Sequence, residues 1–498
     1  MIRLRQSGPE RHRLLGGGNT QAKARDPVSK TYFFDVSDIM AYVRTENSIS
    51  GIQRVSLAVI RRMVERFGPE RVQIAFWSEQ NTYVSLSADY LAQMESFDTD
   101  RLGLLFFGPK ARSDEQIAPT LERYRTRPFK YGVYTQIRNL NAALGRERHF
   151  RKKGSSIAAW RAHHAAQKNL RTAPPPPARP KLTPVHDIAK PGDRVIIMGA
   201  VFGMEKLAEG LAELKENKGV ETSILVHDLI PILVPEHMHG GYSHSFERWL
   251  RQSASYCKSY FANSAYTGKD LGEFLENNGT PRPIDVVPLA QYFERPALTE
   301  EANLSDQIRR ILSEPYVLVV GTMETRKNLL RLAQAWQQLI AAGDLKMPRL
   351  IFAGKENWHT NDFNNFMAKT KNLDGMIEIV HRPSDAGLTA LYEGCLFTSM
   401  VSLYEGWGLP IGESLSMGKT GVVGHATSMP EVGGDMVEYC NPLDVDDMAA
   451  ACRRLIEDTA LRAALEAKIA ATKLRTWDDV TADFVHFLEA EDAARKVG

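Results

Sequence analysis

The hydrophobic positions along the chain change period again and again. Short apolar runs of strand length alternate with stretches whose apolar residues recur every three to four positions, as on an amphipathic helix. "TYFFDVSDIM" (31–40) predicts a first buried strand, and "RVQIAFWS" (71–78) a second. Between them, after "SISG", Ile52, Val55, Val59, Ile60, Met63 and Phe67 fall at helical spacing. The rhythm breaks over residues 110–182, which end in the polyproline stretch "TAPPPPARPK", suited to a stiff linker. It resumes with strands predicted at "DRVIIMGAV", "ETSILVHDLIP", "SYFANS" and "IDVVPLA", separated by helical patterns. Glu294–Pro315 reads as a crossing into a second unit with strands at "PYVLVV", "PRLIFAGK", "IEIVHRP", "LFTSMVS" and "GKTGVVGHA".

Short strands alternating with helices predict an α/β chain whose parallel sheets are covered on both faces. The expected organisation is a flexible basic tail over 1–30, an N-terminal Rossmann-like domain over 31–300 carrying the 110–182 insertion, and a C-terminal Rossmann-like domain over 301–475. A last helix over 476–498 is expected to cross back to the N-terminal domain. Ligands in such sheets bind beyond the carboxyl ends of the strands. That places the expected site in the cleft between the two doubly wound domains.

Composition narrows the class without naming a chemistry. Hydrophobic content of 43% and charged content of 24% are those of a globular chain, and no apolar run reaches the roughly 18–20 residues of a membrane span. The basic N-terminus lacks the apolar core of a secretory signal. Cys257, Cys395, Cys440 and Cys452 show no metal-ligand spacing, so reduced thiols and a cytoplasmic location are expected. Net charge is +2, yet residues 110–182 hold 17 Lys and Arg against 4 Asp and Glu. That local excess of +13 leaves the rest of the chain at −11 and points to an anionic partner for one segment. Phe150, Ile157 and Trp160 among these cations suit a helix on an anionic bilayer; an insertion packed on the N-terminal domain is the blander reading. No nucleic-acid recognition module accompanies the charge.

Two motifs carry candidate chemistry. "VVGTMETRKNLL" joins a strand to a helix through Gly321, Thr322, Glu324, Arg326 and Lys327, a diphosphate clamp that needs no metal. A solvated helix start would show the same cations. "YEGWGLPIGE" holds Glu405 in the loop after a strand and Glu413 about one turn into the next helix, with Gly406, Gly408 and Pro410 between. A carboxylate accepts two hydrogen bonds side by side, which matches the vicinal diol of a ribose. A hydrolase pair would instead face each other across a glycosidic bond, about 5–10 Å apart. His227 and Asp228 stand at an expected strand end. Asp35 and Asp38, near the first strand end, could touch a second substrate, but capping of the next segment is the favoured reading. His237, His239 and His244 have no metal-ligand spacing and read as loop residues near the acceptor side.

"VGTMETRKN", "LIFAGKENW", "YEGWGLPIGESLSMGK" and "TSMPEVGGD", in this order, resemble the retaining glycosyltransferases of family 4, with Glu405 and Glu413 matching the family's E-x7-E signature. "VHDLIPILVPEHM", "FANSAYTGKDL" and "IDVVPLA" extend the match backward, and "DVSDIMAYVRTENSISGIQRV" resembles the opening of a bacterial surface-polysaccharide subgroup. The resemblance implies the GT-B architecture and a mannosyltransferase-like transfer from a nucleotide-diphosphate sugar, with GDP-mannose the favoured donor. The implied acceptor is a glycan or lipid-linked glycan presented at the inner face of the cytoplasmic membrane. It also implies retention of configuration with no cofactor and no metal. Carried over by position, Arg326 and Lys327 would neutralise the leaving diphosphate, and Glu413 would hold the ribose. Glu405 with Gly406, Trp407, Gly408 and Leu409 would contact donor sugar and phosphates. Gly51 would lie in the loop that closes on the diphosphate, next to Ser50, Ile52 and Gln53, and Lys355 near the base. His227 would join Arg326, Lys327 and Glu405 as a catalytic residue beside the sugar, and Asp228 and Gly199 would lie on the acceptor side. The rival readings are a glycoside hydrolase using the glutamate pair and a non-catalytic glycan- or membrane-binding scaffold of the same fold.

Overall fold

The computed structural model describes residues 30–45, 51–78, 81–92, 102–103, 128–151, 156–157, 160–161, 181–238, 240–293, 304–356 and 360–497. The expected tail, Ser50, the polyproline stretch, His239 and most of the expected crossing near residue 300 lie outside the described residues.

Two sheets organise the molecule. The first contains β1 (Tyr32–Asp35), β2 (Val72–Trp77), β3 (Tyr83–Ser87), β4 (Thr183–Pro184), β5 (Arg194–Ile197), β6 (Glu221–Val226), β7 (Cys257–Ala262) and β8 (Ile284–Val286). Their order is 4-3-2-1-5-6-7-8. The second contains β9 (Tyr316–Val320), β10 (Arg349–Gly354), β11 (Ile377–His381), β12 (Thr398–Met400), β13 (Gly421–Gly424) and β14 (Glu438–Cys440), in the order 11-10-9-12-13-14. The second sheet is parallel throughout. It has the doubly wound strand order in which the chain reverses direction at β9 and β12, the place where such folds bind ligands. In the first sheet the corresponding reversal lies between β1 and β5.

The first sheet departs from the all-parallel expectation. β3 pairs antiparallel with β2, and β4 antiparallel with β3. Asn81 at φ 54° supplies a left-handed residue in the turn, and the hairpin is closed by the Ser78 N–H donating to Thr82 O at 3.0 Å and the Thr82 N–H donating to Ser78 Oγ at 3.3 Å. β1 is also shorter than "TYFFDVSDIM" suggests. Asp35 ends it by accepting from the Ser37 N–H (3.0 Å) and Ser37 Oγ (2.8 Å), a local turn that starts the helix Ser37–Thr45.

One apolar cluster runs through both units. It joins Phe34, Ile60 and Met63 with Trp407, Ile411 and Leu415 across the cleft floor, and with Val480, Phe484 and Leu488 of the terminal helix Trp477–Val497. Phe484 meets Phe261 of β7 edge-on at 4.8 Å between ring centroids. Beside them the buried Arg194 guanidinium pairs with Glu221 (2.6 Å) and with Glu491 of the terminal helix (2.5 Å).

In the basic insertion, the helices Pro128–Ala143 and Glu147–Arg151 enclose a small core of Ala142, Phe150 and Trp160. The buried Arg138 guanidinium lies 5.6 Å from the Phe150 ring centroid and 5.4 Å from that of Trp160. The aromatic residues suggested for a bilayer therefore turn inward. Val133, Ile137, Leu140 and Leu144 turn outward instead, with Leu140 60% exposed. Among the described residues no helix is long and apolar enough to cross a membrane.

Candidate functional site

The site grows from the chain reversal of the second sheet. After β9, Gly321 adopts φ 144°, and Gly354 of β10 comes so close that a Cβ on it would lie 1.9 Å from Gly321 O. Thr322 follows, and Met323 donates its N–H to Lys355 O at 2.8 Å, fixing Lys355 just past the end of β10. A tight turn at Thr325–Lys327 then presents the two cations. Asn328, left-handed at φ 62°, ends that turn; its Nδ2 donates to Val401 O (3.0 Å) and Pro442 O (2.6 Å). The Leu403 N–H donates to Arg326 O at 2.9 Å, so the loop after β12 is tied to the cation turn.

Those ties bring Arg326, Lys327 and Glu405 into one constellation. Glu405 Oε1 accepts from Lys327 Nζ at 2.6 Å and lies 2.9 Å from Arg326 Nη1. Arg326 also donates to Tyr404 O and to Glu324 Oε1, both at 2.5 Å. Burial alone would raise the Glu405 carboxyl, but Arg326 and then Lys327 outweigh it and hold it at about 2. The Glu405 backbone is pinned as well: its N–H donates to Thr427 Oγ1 (3.0 Å), and its carbonyl accepts from Ser428 Oγ (2.8 Å). Ser428 Oγ also reaches Trp407 O at 3.1 Å.

The glycine loop is where the two units touch most closely. A Cβ on Gly406 would lie 1.9 Å from His227 O and 2.9 Å from Asp228 Cβ. The buried Trp407 donates its indole N–H to Ala290 O at 3.3 Å. Gly408, at φ 105°, turns the chain into the helix Leu409–Ser416. Leu409 abuts Gly51 at the start of the helix Gly51–Phe67, where a Cβ would come within 2.7 Å of Leu409 Cδ1. Glu413 lies on the Leu409–Ser416 helix, as expected. Its Oε2 accepts from Tyr392 OH at 2.7 Å, and its Oε1 lies 3.5 Å from Arg54 Nη1. Arg54 bridges onward to Asp385 at 3.4 Å, so one guanidinium of the first unit spans two carboxylates of the second.

On the facing side, His227 and Asp228 leave the end of β6. His227 Nε2 is 2.7 Å from Met198 O; burial lowers its pKa more than Met198 O and Asp38 raise it, which favours the neutral ring. Burial raises the Asp228 carboxyl, with Arg326 opposing, and its Oδ1 accepts from the Ile230 N–H at 3.0 Å. Gly199 is required by Asp38, whose Cγ would lie 2.1 Å from a Cβ there. Asp38 in turn accepts from Gln53 Nε2 at 3.1 Å. His237 lines a cavity of about 300 Å³ together with Glu324, Asn328 and Arg331, so it faces the second unit rather than an open loop. His244 is exposed on the helix Tyr242–Tyr256.

The structure thus gathers Arg326, Lys327, Glu405, Gly406, His227 and Asp228 in one cleft, with Gly51, Leu409 and Glu413 along its side. Lys355 stands at a strand end of the second sheet, and Gly199 at one of the first. Sequence reasoning missed Arg54, Tyr392 and the pairing role of Glu324. Arg54 gave one signal, its place in the first turn after Gly51; Tyr392 gave none.

Residues 301–471 match the family model of Glycosyl transferases group 1. This part of the chain is similar to that family. The chain is 33% identical over 172 residues to the O-antigen chain mannosyltransferase B of Escherichia coli, covering 34% of this chain and 45% of that protein. It is 25% identical over 256 residues to the serotype-specific mannosyltransferase WbdA of Escherichia coli, covering 51% of this chain and 31% of that protein. The chain thus spans less than half the length of these curated relatives. Among solved structures, Anabaena HepE in complex with UDP-glucose superposes with a TM-score of 0.54 at 12% identity, over 92% of this chain and 99% of that one. A glycosyltransferase from Rickettsia africae gives 0.51 at 13% identity, over 93% and 98%. The matching segment therefore sits in a two-sheet chain of GT-B fold.

Proposed function

We propose that this protein transfers a mannosyl unit from a nucleotide-diphosphate sugar, with GDP-mannose the favoured donor, to a glycan or lipid-linked glycan acceptor in polysaccharide assembly, with retention of configuration. The observation that carries the reading is the Arg326–Lys327–Glu405 constellation at the reversal of the second sheet, facing His227 and Asp228 across a glycine contact. In this reading the two cations exchange their carboxylate partners for the leaving diphosphate, whose charge they stabilise without a metal or other cofactor. Glu413, already oriented by Tyr392, receives the ribose hydroxyls. Gly406, Gly408 and Leu409 offer backbone to the donor, Gly321 and Thr322 line its phosphate side, and Lys355 stands toward the base. His227 and Asp228 receive the accepting hydroxyl. Similarity to two mannosyltransferases of Escherichia coli supports the mannosyl assignment.

A hydrolase reading finds less support. A general acid needs a carboxyl raised toward neutrality, whereas Glu405 is held at about 2. For the basic insertion we propose peripheral contact with an anionic membrane at the cytoplasmic face, made by the outward residues Val133, Ile137, Leu140 and Leu144.

Glu413→Ala and Arg326→Ala should each lower mannosyl transfer about a hundredfold or more, with the circular dichroism spectrum unchanged. Transfer at the wild-type rate by either folded variant would overturn the site assignment.

A further inference from the structure

A second cavity, of about 360 Å³, lies in the first unit outside the donor cleft. It sits between the start of the helix Glu205–Lys218, one face of the helix Tyr242–Tyr256 and the β2–β3 hairpin. Trp77 at the end of β2, Phe202 in the loop after β5, and Trp249 form its aromatic walls. Asn81, Lys206 and Gln252 stand at its rim, all three exposed. The cavity depends on small residues. Gly203 adds no side chain to the wall, and Gly210 lets the Trp77 ring lie beneath the helix, where a Cβ would come within 2.4 Å.

Its position relates it to the transfer site. Phe202 follows Gly199 by three residues and meets Tyr242 edge-on at 4.6 Å. Tyr242 in turn lies near enough to Asp228 to feel its charge: its phenol is pushed up to about 12, by burial first and by Asp228 second. Phe202 lines the cavity and packs on Tyr242, which places the cavity on the same side of the first unit as Gly199. Apolar ring faces suit the C–H face of a pyranose, and rim amides with an ammonium suit its hydroxyls. The cavity is within the size range of small-molecule sites.

We propose that this cavity is a distal subsite for the acceptor glycan, binding a sugar unit behind the one that receives the transferred residue. The proposal rests on the glycosyltransferase reading for its direction along the acceptor, but glycan binding at the cavity stands on its own. A polymer-extending enzyme gains from such a subsite because binding energy from remote units helps to position the reacting end.

The test uses the full chain with α-linked mono-, di- and trimannosides. Tryptophan fluorescence should report tighter binding of the trisaccharide than of the monosaccharide, since Trp77 and Trp249 line the cavity. Gln252→Ala with Lys206→Ala, both changes on exposed side chains, should weaken trisaccharide binding at least fivefold. Trp77→Leu should do the same and remove most of the fluorescence response. In transfer assays these variants should raise the KM for the trisaccharide while leaving kcat and the KM for the monosaccharide unchanged. Equal affinity for mono- and trisaccharide, or variants that change both equally, would overturn the subsite. Loss of nucleoside diphosphate binding in the rim variants would overturn it too, by assigning the cavity to the donor. Failure of the intact protein to bind any nucleoside diphosphate, with the trisaccharide still bound in the cavity, would sink the transferase reading and leave the subsite standing.

Discussion

At the scale of single residues, the two glutamates of the glycine loop are different objects despite their shared signature. Glu413 is held by a phenol on one oxygen and a guanidinium at 3.5 Å from the other, each from a separate element. Glu405 is a counter-ion, locked between Arg326 and Lys327. Its folded pKa of about 2 lies below its ordinary 4.5, although burial pushes the other way. The ion pairs therefore contribute stability that is present above pH 4.5 and is lost as the pH falls through about 2; near neutrality the carboxyl does not titrate. A difference of this size amounts to about 3 kcal/mol. Glu405→Gln should accordingly lower donor turnover at least tenfold while the pH–rate profile keeps its shape between pH 5 and 9. The variant should also lose less stability than wild type between pH 5 and 3 in urea titrations. A profile limb that vanishes in Glu405→Gln would instead identify this carboxylate as an acid–base group.

At the scale of elements, the glycine loop is a close steric contact between the two units. The loop after β12 and the residues just past β6 meet with no room for a methyl group at Gly406. The meeting is backbone against backbone, which no rotamer change relieves. Gly406→Ala should therefore separate the strand ends by roughly an ångström, reduce transfer more than a hundredfold and cost about 1–3 kcal/mol of stability. Gly418→Ala supplies the control: Gly418 has an open surrounding, and only its φ of 71° opposes a side chain. Transfer should survive there. Equal loss of transfer in both variants would refute the close-approach argument. Such contacts explain which parts of the structure were legible in the sequence. Strand and helix periods exposed the alternation of elements, because buried parallel strands and amphipathic helices leave local patterns. Glu405, Arg326 and Lys327 were legible because a tight turn needs local glycine and its cations lie beside it. β3 was missed because its hairpin turns through Asn81 rather than a glycine pair, and its outer edge is covered by the short β4 from residue 183. Arg54 and Tyr392 were missed because their meeting at Glu413 joins residues of three different helices, Arg54 from far along the chain, and no local period encodes such a contact.

At the scale of the whole molecule, the uneven charge becomes an orientation. The proposed donor cleft lies between two sheets, while the +13 segment leaves the first sheet after β3 and re-enters at β4, the far edge from β8. Its inner aromatic residues are spent on a small core around Arg138, so any bilayer contact falls to the outer apolar row. Val133, Ile137, Leu140 and Leu144 are spaced at four, three and four residues, which places them along one face, each at least 40% exposed. Lys130, Arg146 and Arg148 flank that row in the chain. Such a face gains from both apolar insertion and attraction to anionic headgroups, and the second contribution falls with salt. The protein should therefore float with vesicles containing phosphatidylglycerol at low salt and be released in about 0.5 M salt. Ile137→Asp with Leu140→Asp should reduce flotation at least fivefold without changing transfer to a soluble mannoside, because both residues lie outside the donor cleft and outside the buried core of the insertion. Transfer to a lipid-linked acceptor in the same vesicles should fall with flotation, since surface capture raises the local concentration of that acceptor. Flotation of the double variant equal to wild type would remove the membrane role from this face, and an equal drop for soluble and lipid-linked acceptors would trace the loss to the fold.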